Sequence, residues 1–555
     1  MFGTGKPWLQ VYEGHVEAET EIFDGSLHDF FRMSAEEHRG KTALTFYGTT
    51  FPFERLQALV EKMAGSLAAS GVGKGDRVAL MLPNCPQYVI SFFATVRLGA
   101  IVTQLNPMYV EREIEHILTD SGAETIVVFK DMYPRVRNVL PATNLKNVVV
   151  VDFVGEPEGL EPGHRSFGDF LQMDTPPAPP VPIDPVEDVA ALQYTGGTTG
   201  VSKGAMLTHR NLVANVQQAL DLFIDDPGAF SNNQKVMGML PMFHIFGLTC
   251  VMLFAVKQGL NQILIPKFDP QEVMNIVKEN GPVMFSGVPT MYMALNADGA
   301  DLMEYGFGNV RTYNSGGSAL PVPLKRSFET QVGRPLFEGY GLSEASPVTH
   351  FNPPFAGEAR EGSIGVPVPS TDARIVDVET GEREMPVGEA GELIVKGPQV
   401  MKGYLNMPME TADALRGGWL YTGDMARMDE DGYFFIVDRK KDMILASGYN
   451  VYPREIEEVL FEHPDVSEAV AVGIPDEYRG ESVKAFVVKR EGATVTEVEI
   501  QAFCKERLAP YKAPKAVEFR ETLPKSTVGK LLRRVLADEE RAKTGTQTAT
   551  GAPPS

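Results

Sequence analysis

The strongest chemical signal in the chain is the stretch YTGGTTGVSKGAMLTH, which runs from Tyr194 to His209 and surrounds one lysine with glycines and hydroxyl side chains. Glycine lets a backbone come close to a ligand, while threonine hydroxyls and backbone N–H groups donate to phosphate oxygens. A flexible surface loop does not account for an unbroken TGGTTG run before a lysine. The Walker loop needs serine or threonine after its lysine, whereas Gly204 follows Lys203. The stretch therefore predicts a phosphate-binding loop of another type.

Composition and charge exclude several classes of protein. The 555 residues carry a formal charge of -22, which argues against a general nucleic-acid surface. The acidity lies almost entirely before residue 438, because residues 438–534 hold 17 basic and 17 acidic side chains. The cysteines, Cys85, Cys250 and Cys504, share no C-x-x-C spacing, so we expect a reducing, cytoplasmic setting.

No segment is long and apolar enough to predict a membrane span. The best candidate, Ile245 to Val256, is a 12-residue run, whereas a spanning helix needs about 20 residues. The first residues also lack the basic and apolar regions of a signal peptide.

The elements around the phosphate loop alternate between strand and helix patterns. The predicted strands are KTALTFYG, DRVALML, AIVTQLN, ETIVVF, VVVVDF and VAALQY, and the predicted helices include Phe53–Ala69 and Gln87–Leu98. This alternation predicts βαβ units around a mostly parallel sheet. The strand VAALQY enters the glycine-rich loop directly, which is typical of ligand binding at the carboxyl edge of such a sheet.

Shorter elements follow residue 438. The pattern predicts helices at Pro453–Phe461, at Glu497–Leu508 and beyond Lys530, with strands in SEAVAVGI and VKAFVVK. The predicted fold class is therefore α/β: a large N-terminal domain of mostly parallel βαβ sheets plus a small α+β C-terminal domain. The tail, residues 542–555, has no apolar anchor and is expected to be disordered.

Four further motifs occur far apart in the chain: EGYGLSEASP from Glu338, GWLYTGDMARMDEDGYFFIVDRKKDMI from Gly418, SGYNVYPREIE from Ser447 and PKSTVGKLLRR from Pro524. Together with the first loop they resemble, in order, the motifs of the adenylate-forming superfamily of acyl-CoA synthetases. The match covers roughly residues 20–540. The stretches KPWLQVY, MLPNCPQYVI, NPMYVEREIEHIL and GPQVMKGYLNMP look most like bacterial long-chain fatty-acid CoA ligases.

The resemblance implies that ATP, Mg²⁺ and CoA are used and that acyl-AMP is the intermediate. It also implies roles for residues that hold the phosphates and the metal. Lys203, Glu344 and Lys530 would be catalytic, with Lys530 bridging the reacting carboxylate and the α-phosphate. The phosphate clamp would be Thr195, Gly196, Gly197, Thr198 and Thr199, and the metal would be held by Thr199 and Glu344.

The resemblance implies further contacts with the nucleotide and with CoA. Asp424 and Arg439 would bind the ribose hydroxyls, and Tyr340 would stack on adenine. Gly448 would line the tunnel for the pantetheine arm. The remaining nucleotide-facing positions would be Gly316, Gly317, Glu338, Gly339, Gly341 and Ser343. The family often has proline at position 202 and threonine at position 343, where this chain has serine.

The domain organisation implied by the resemblance includes a moving part. Residues 1–437 would form the large adenylation domain, 438–442 the hinge, and 443–541 a small mobile domain that carries Lys530. Lys441 matches the hinge position, about which the small domain would rotate so that the CoA thiol can reach the acyl carbon.

The length of the acyl chain that the enzyme accepts is predicted from a glycine that stands where related enzymes have a large side chain. The acetate-activating members have a tryptophan at the position of Gly341, so glycine here predicts an open channel for medium to long acyl chains. Ala345 is also small, and His244 is either a wall of that channel or a buried histidine with satisfied hydrogen bonds. On this basis Gly341→Trp should shift preference toward short acids.

Two alternatives remain at this stage. One is an acyl-AMP ligase that delivers its product to a carrier protein, and the other is an acyl-adenylate-binding protein without turnover. The presence of Lys530 and Glu344 weighs against the second. Neither peripheral contact with the inner membrane face nor a homodimer is decided by the sequence.

Overall fold

The computed structural model of the chain describes residues 6–195, 202–223, 234–297, 300–357, 359–446, 449–476, 480–526 and 529–543. In chain order the strands are β1 (Thr42–Phe46), β2 (Thr49–Pro52), β3 (Arg77–Met81), β4 (Ile101–Gln104), β5 (Thr125–Phe129), β6 (Asn147–Val151), β7 (Arg165–Ser166), β8 (Val189–Thr195), β9 (Lys203–Thr208), β10 (Lys235–Gly238), β11 (Asn261–Leu264), β12 (Met284–Gly287), β13 (Thr312–Ser315), β14 (Leu336–Gly341), β15 (Val348–Phe351), β16 (Val366–Pro367), β17 (Asp372–Val376), β18 (Gly391–Lys396), β19 (Gly403–Tyr404), β20 (Leu415–Arg416), β21 (Trp419–Met428), β22 (Phe434–Arg439), β23 (Ile444–Ala446), β24 (Tyr449–Val451), β25 (Val466–Asp476), β26 (Gly480–Lys489) and β27 (Ala516–Phe519).

The α-helices are α1 (Leu9–Tyr12), α2 (Leu27–Glu37), α3 (Phe53–Ala69), α4 (Pro86–Arg97), α5 (Glu111–Ser121), α6 (Tyr133–Val139), α7 (Phe167–Leu171), α8 (His209–Phe223), α9 (Ile245–Gly247), α10 (Phe254–Gln258), α11 (Pro270–Asn280), α12 (Pro289–Ala297), α13 (Val322–Val332), α14 (Pro408–Ala414), α15 (Pro453–Phe461), α16 (Glu497–Arg507) and α17 (Arg533–Lys543). A buried π-helical segment, Leu248–Leu253, joins α9 to α10. Within the described part of the chain, none of the helices has the length and hydrophobicity to span a membrane.

Two large sheets carry the first 370 or so residues, and both are mainly parallel. One has the order β16-β15-β14-β13-β12-β10-β11-β1-β2, and the other has the order β19-β9-β8-β4-β3-β5-β6-β7. In the first, the run from β14 through β13, β12, β10 and β11 to β1 is parallel, so the loops after β13 and β14 leave the same edge. In the second, β8 and β9 form an antiparallel hairpin at the phosphate loop. The prediction of a mostly parallel α/β domain is confirmed.

The strands and helices predicted from the sequence all appear. The predicted helix at Phe53–Ala69 is α3, and the predicted strand VAALQY is the body of β8. An apolar side of α3 packs on α4, where Leu56, Val60 and Met63 are fully buried. The periodicity of these apolar residues is therefore what places both helices against the sheet.

A third sheet, β17-β18-β21-β20 with β22 on β21, is antiparallel and leads into the small domain. The small domain has its own sheet, β24-β23-β26-β25 with β27 on β26, and a separate hydrophobic core that includes Ile456, Leu460 and Phe486. A capping box starts its helix α16, because Thr496 and Glu499 hydrogen-bond reciprocally. The predicted α+β character of this domain is confirmed.

Candidate active site

The phosphate loop is held at both ends by one hairpin. Thr195, the last residue of β8, lies opposite Lys203, the first residue of β9. The Ser202 hydroxyl donates to the Thr195 carbonyl at 2.7 Å and so ties the two ends together. Lys203 is therefore the first residue of a strand that is paired with the strand entering the loop. The predicted contacts Gly196, Gly197, Thr198 and Thr199 lie outside the described residues.

Glu344 and Lys203 come together through a residue that the sequence did not single out. Glu344 lies in a short 3-10 helix, Ser343–Ala345, just beyond β14. The Tyr404 hydroxyl donates to Glu344 Oε1 at 2.8 Å, and Lys203 Nζ lies 4.4 Å from the centre of the Tyr404 ring. The only sequence signal was the tyrosine in GPQVMKGYLNMP, which nothing in the pattern connects to Glu344.

This donor set fits Mg²⁺ held mainly by a substrate. Mg²⁺ usually takes one or two carboxylates together with substrate phosphates and water. Glu344 supplies a half-buried carboxylate that is linked to the phosphate-loop lysine through Tyr404. Among the described residues no cluster of three or more acidic, histidine or cysteine side chains could hold a metal without a substrate.

Asp424 and Arg439 face each other across the ladder between β21 and β22. Arg439 Nε lies 3.3 Å from Asp424 Oδ1, and the negative charge of Asp424 raises the pKa of Arg439. The Tyr340 hydroxyl donates to the other oxygen, Asp424 Oδ2, at 2.5 Å. Burial and the same carboxylate raise the pKa of Tyr340 well above its usual value, so the phenol stays protonated. The structure thus joins three predicted nucleotide contacts into one cluster.

The glycines predicted to approach the base lie after β13 and at the end of β14. A Cβ on Gly316 would lie 3.3 Å from the Phe246 ring and 3.5 Å from the Gly339 carbonyl oxygen. Gly317 has a φ of +83°, which side chains rarely adopt. Because β13 and β14 are parallel neighbours, their loops open on the same edge of the sheet. Two glycines thus follow β13 on the edge at which β14 ends with Tyr340 and Gly341.

Glu338 differs from its neighbours, because its side chain points into the protein. Its Oε1 accepts a hydrogen bond from the Leu320 N–H at 3.1 Å, and the residue is only 4% exposed. Burial raises the pKa of the Glu338 carboxyl to about 7. Its backbone carbonyl accepts from the Asn352 amide at 2.9 Å. The Glu338 side chain is thus hydrogen-bonded inside the protein, beneath the site.

The predicted acyl-channel residues have distinct surroundings. A Cβ on Gly341 would collide with the backbone carbonyl of Pro347, so this glycine permits a close approach of two chain segments. A tryptophan here would have to displace that segment before it filled a channel. Ala345 is fully buried. His244 Nδ1 accepts from the Phe246 N–H at 3.3 Å at the start of α9, and burial lowers the pKa of His244 to about 4.

Lys530 reaches the large domain from the small one. It follows Gly529, which has a φ of +75° and at which an added Cβ would collide with the Thr290 hydroxyl of the large domain. Burial lowers the pKa of Lys530 to about 8, and the positive charge of Arg439 acts in the same direction while Asp424 opposes it. The charges of Arg439 and Asp424 thus act on a lysine that is more than 90 residues away in sequence.

The segment predicted as the hinge, residues 438–442, comprises the last two residues of β22 and the turn that leads to β23. Lys441 is exposed in the turn, and the Asp442 N–H donates to the Arg439 carbonyl at 3.0 Å. Asp438, at its start, is buried and accepts a hydrogen bond from the backbone N–H of Arg454 at 2.9 Å. Gly448, the predicted tunnel residue, lies outside the described residues.

Comparisons with known proteins agree with this geometry. A model of the AMP-binding enzyme family matches residues 31–405, and a model of the AMP-binding enzyme C-terminal domain matches residues 455–530. The chain is 46% identical over 561 residues to a long-chain-fatty-acid–CoA ligase of Bacillus subtilis (strain 168), covering 96% of this chain and 98% of that protein. It is 41% identical over 571 residues to a long-chain-fatty-acid–CoA ligase of Escherichia coli O6:H1, covering 97% and 99% respectively.

Comparison with solved structures indicates the same family. ATP-bound MatB from Rhodopseudomonas palustris superposes with a TM-score of 0.83 at 31% identity, covering 92% of this chain and 98% of that one. The anthranilate CoA ligase AuaEII in complex with anthranoyl-AMP superposes with a TM-score of 0.85 at 26% identity, covering 94% and 98%. The resemblance inferred from the motifs is confirmed, and the chain belongs to the family of AMP-binding, adenylate-forming enzymes.

Proposed function

We propose that this chain is an ATP-dependent long-chain fatty-acid–CoA ligase. It joins a fatty acid to ATP to give acyl-AMP and pyrophosphate, and then transfers the acyl group to CoA with release of AMP. The observation that carries this proposal is the close approach of the small domain to the large one at Gly529, the residue before Lys530, where an added Cβ would collide with the Thr290 hydroxyl. Its long-chain relatives, matched over nearly their whole length, support the choice of substrate.

The first half-reaction must bring two anions together. The fatty-acid carboxylate attacks the α-phosphorus of ATP, and pyrophosphate leaves with the bonding electron pair. Lys203 would bind the outer phosphates, and Lys530 would lie between the carboxylate and the α-phosphate. Mg²⁺ held by Glu344 and by the ATP phosphates would neutralise charge on the leaving group. Positioned positive charges of this kind are the main source of catalysis in phosphoryl and nucleotidyl transfer.

The Asp424–Arg439 pair would hold the ribose during both half-reactions. A carboxylate accepts from the two hydroxyls of a diol, and a guanidinium donates to them. Tyr340 fixes one oxygen of Asp424, so the acceptor is oriented before the nucleotide arrives. The adenine would then lie along Tyr340 and the backbone of Gly316 and Gly317.

The second half-reaction needs a different arrangement at the same acyl carbon. The CoA thiolate attacks this carbon, and AMP leaves. With Lys530 at the reacting groups of the first step, the small domain would have to move before the thiol could enter. Rotation about Lys441, in the exposed turn after β22, would remove Lys530 and bring residues near Gly448 to the tunnel.

We infer that the acid substrate has a medium to long acyl chain, held by apolar residues near His244. The segment that follows His244 is mostly buried and apolar, and it includes the π-helical stretch Leu248–Leu253. π-Helical turns occur often at functional sites because they displace side chains from helical register. Each methylene that is buried adds about 0.8 kcal/mol, so a deep channel separates a long acid from acetate strongly.

A chain-length series from acetate to oleate tests the proposal. AMP release should be rapid with C12 to C18 acids, should require CoA for turnover, and should be negligible with acetate. Rapid acyl-AMP formation without CoA-dependent turnover would favour the acyl-AMP ligase that serves a carrier protein. ATP binding without acid-dependent pyrophosphate release would favour the binding protein without turnover.

Two further properties belong to this proposal. We infer a cytoplasmic enzyme that makes peripheral contact with the inner membrane face, where its apolar substrate partitions, and that forms a homodimer. The three cysteines are buried and unpaired, as expected for a reducing compartment. Vesicle flotation tests the membrane contact, and light scattering of the purified protein tests the dimer.

A further inference from the structure

Tyr404 lies between the two groups that handle the phosphates and the metal. Its strand, β19, pairs with β9, so that Tyr404 is opposite Ala205, two residues beyond Lys203. Backbone hydrogen bonds on either side, from Lys402 to Met206 at 2.9 Å and from Leu405 to Gly204 at 2.8 Å, fix this register. The phosphate-loop strand therefore determines where the Tyr404 backbone lies.

The same segment is tied to the acidic residue on its other side. The Met401 N–H donates to the Glu344 carbonyl at 2.8 Å, and the Tyr404 hydroxyl donates to Glu344 Oε1 at 2.8 Å. Tyr404 is 8% exposed, so its ring has little freedom to leave this position. Both the backbone and the side chain of Glu344 are thus bound by residues 401–404.

The face of the Tyr404 ring carries the third contact. Lys203 Nζ lies 4.4 Å from the ring centre, within the range in which an ammonium is attracted to an aromatic face. One side chain therefore holds a carboxylate at its hydroxyl and an ammonium over its ring.

The geometry of Glu344 leaves its second oxygen for a metal. Oε1 is occupied by the Tyr404 hydroxyl, and among the described residues no side chain hydrogen-bonds to Oε2. A carboxylate with one oxygen fixed presents the other in a defined direction. Preorganisation of this kind lowers the cost of binding and is commonly needed to orient metal-binding carboxylates.

We propose that Tyr404 is a positioning residue that sets the distance and direction between the Mg²⁺-binding carboxylate of Glu344 and the phosphate-binding ammonium of Lys203. This inference rests on the proposed function, because it takes from it the roles of both partners. Tyr404 itself touches neither reacting atom. Its effect should appear in how metal and nucleotide bind together.

Tyr404→Phe separates the two contacts, because it keeps the ring under Lys203 and removes only the hydroxyl. The direct measurement is binding of Mn²⁺, followed by electron paramagnetic resonance, in the presence of a non-hydrolysable α,β-methylene ATP analogue. We expect Mn²⁺ affinity to fall about 10- to 100-fold, the range for loss of a hydrogen bond to a charged group. Pyrophosphate exchange should regain much of its rate at high Mg²⁺. Unchanged Mn²⁺ affinity would overturn the proposal.

Tyr133→Phe is the matched control. Tyr133 is 6% exposed and its hydroxyl bonds to His164 Nδ1 at 2.7 Å, but it lies at the far edge of the second sheet. It should lose stability to a similar degree as Tyr404→Phe without any change in Mn²⁺ affinity. An equal loss of Mn²⁺ affinity in both variants would show a general packing effect and would overturn the proposal.

A double-mutant cycle with Glu344→Gln isolates the contact. If the hydroxyl acts through the Glu344 carboxylate, Tyr404→Phe should change Mn²⁺ and nucleotide binding little in the Glu344→Gln background. A full, additive effect in that background would mean that Tyr404 acts elsewhere. The wild-type enzyme tests the proposed function separately. If it shows no palmitate-dependent pyrophosphate exchange, the ligase proposal is refuted. The double-mutant cycle of Mn²⁺ binding would still decide the role of Tyr404.

Discussion

The Arg533 guanidinium lies 3.2 Å from the Asp438 carboxylate, so a residue three positions beyond Lys530 is joined to the strand that carries Arg439. The same Nη1 reaches Asp442 at 3.1 Å, and Nη2 reaches Glu457 at 2.8 Å. Asp438 precedes the turn that contains Lys441, whereas its partner Arg533 follows it. Rotation of the small domain about that turn would therefore have to break this ion pair.

Asp438→Asn should slow acyl-adenylate formation more than thioester formation. The neutral side chain weakens the bond to Arg533 and therefore the orientation that presents Lys530. We expect a loss of about tenfold in pyrophosphate exchange, equivalent to 1.4 kcal/mol. The second half-reaction, started from supplied acyl-AMP, should be unchanged or faster. Glu124→Gln, which breaks the exposed pair with Lys146, should affect neither step.

Lys530→Ala should abolish adenylation and spare the second half-reaction. Removing one positioned charge from the transition state costs roughly 100- to 1000-fold in rate or more. Pyrophosphate exchange measures the first step, and CoA consumption from supplied acyl-AMP measures the second. Lys525→Ala is a suitable control, because that lysine pairs with Glu468 within the small domain at 2.5 Å. Equal damage to both half-reactions would refute the role of Lys530.

Adenylation should decline as the pH rises through about 8. Burial lowers the pKa of Lys530 to about 8, so the ammonium is present below that pH and is lost above it. The kcat/KM for pyrophosphate exchange reports groups of the free enzyme and should show this falling limb. Thioester formation from supplied acyl-AMP should lack it. A flat profile for exchange up to pH 9.5 or so would contradict the placement of Lys530.

Lys441→Pro should impair the second half-reaction and spare the first, the opposite of Lys530→Ala. Proline fixes φ near -65° and restricts the preceding residue as well, so the turn can no longer absorb a rotation. Exchange between pyrophosphate and ATP should survive, while thioester formation falls. Lys441→Ala keeps the backbone freedom and should retain both activities. Normal thioester formation in the proline variant would place the hinge elsewhere.

Gly341→Ala should lower the melting temperature without changing chain-length preference. The added Cβ overlaps the Pro347 carbonyl, and overpacking of this kind costs about 1 to 3 kcal/mol. The ratio of palmitate to acetate activity should stay that of the wild type. Gly341→Trp should be compared with Gly341→Ala. Only a shift in chain-length preference toward short acids beyond that of Gly341→Ala would report on the acyl channel. A changed ratio at unchanged stability in Gly341→Ala would contradict the packing role.

The sequence by itself determined the order of the elements and the family. Hydrophobic periodicity predicted α3 at Phe53–Ala69 and the strand of β8, because helices and strands repeat their buried positions at different intervals. The glycine-, threonine- and lysine-rich motifs predicted adenylate chemistry, because bound phosphates require close backbone approach and positive charge. These are local properties of the chain.

Only the tertiary structure decided which side chains meet. Tyr404 joins Glu344 to Lys203 across 60 and about 200 residues of sequence, and no local pattern encodes that contact. Glu338 looked like part of the nucleotide site, yet its carboxylate turns inward to the Leu320 N–H. At Gly341 the structure adds a close approach of the Pro347 backbone, which the sequence pattern did not indicate. The direction in which each of these side chains points depends on sheet register and on how the two domains pack. Both are set by contacts between distant parts of the chain.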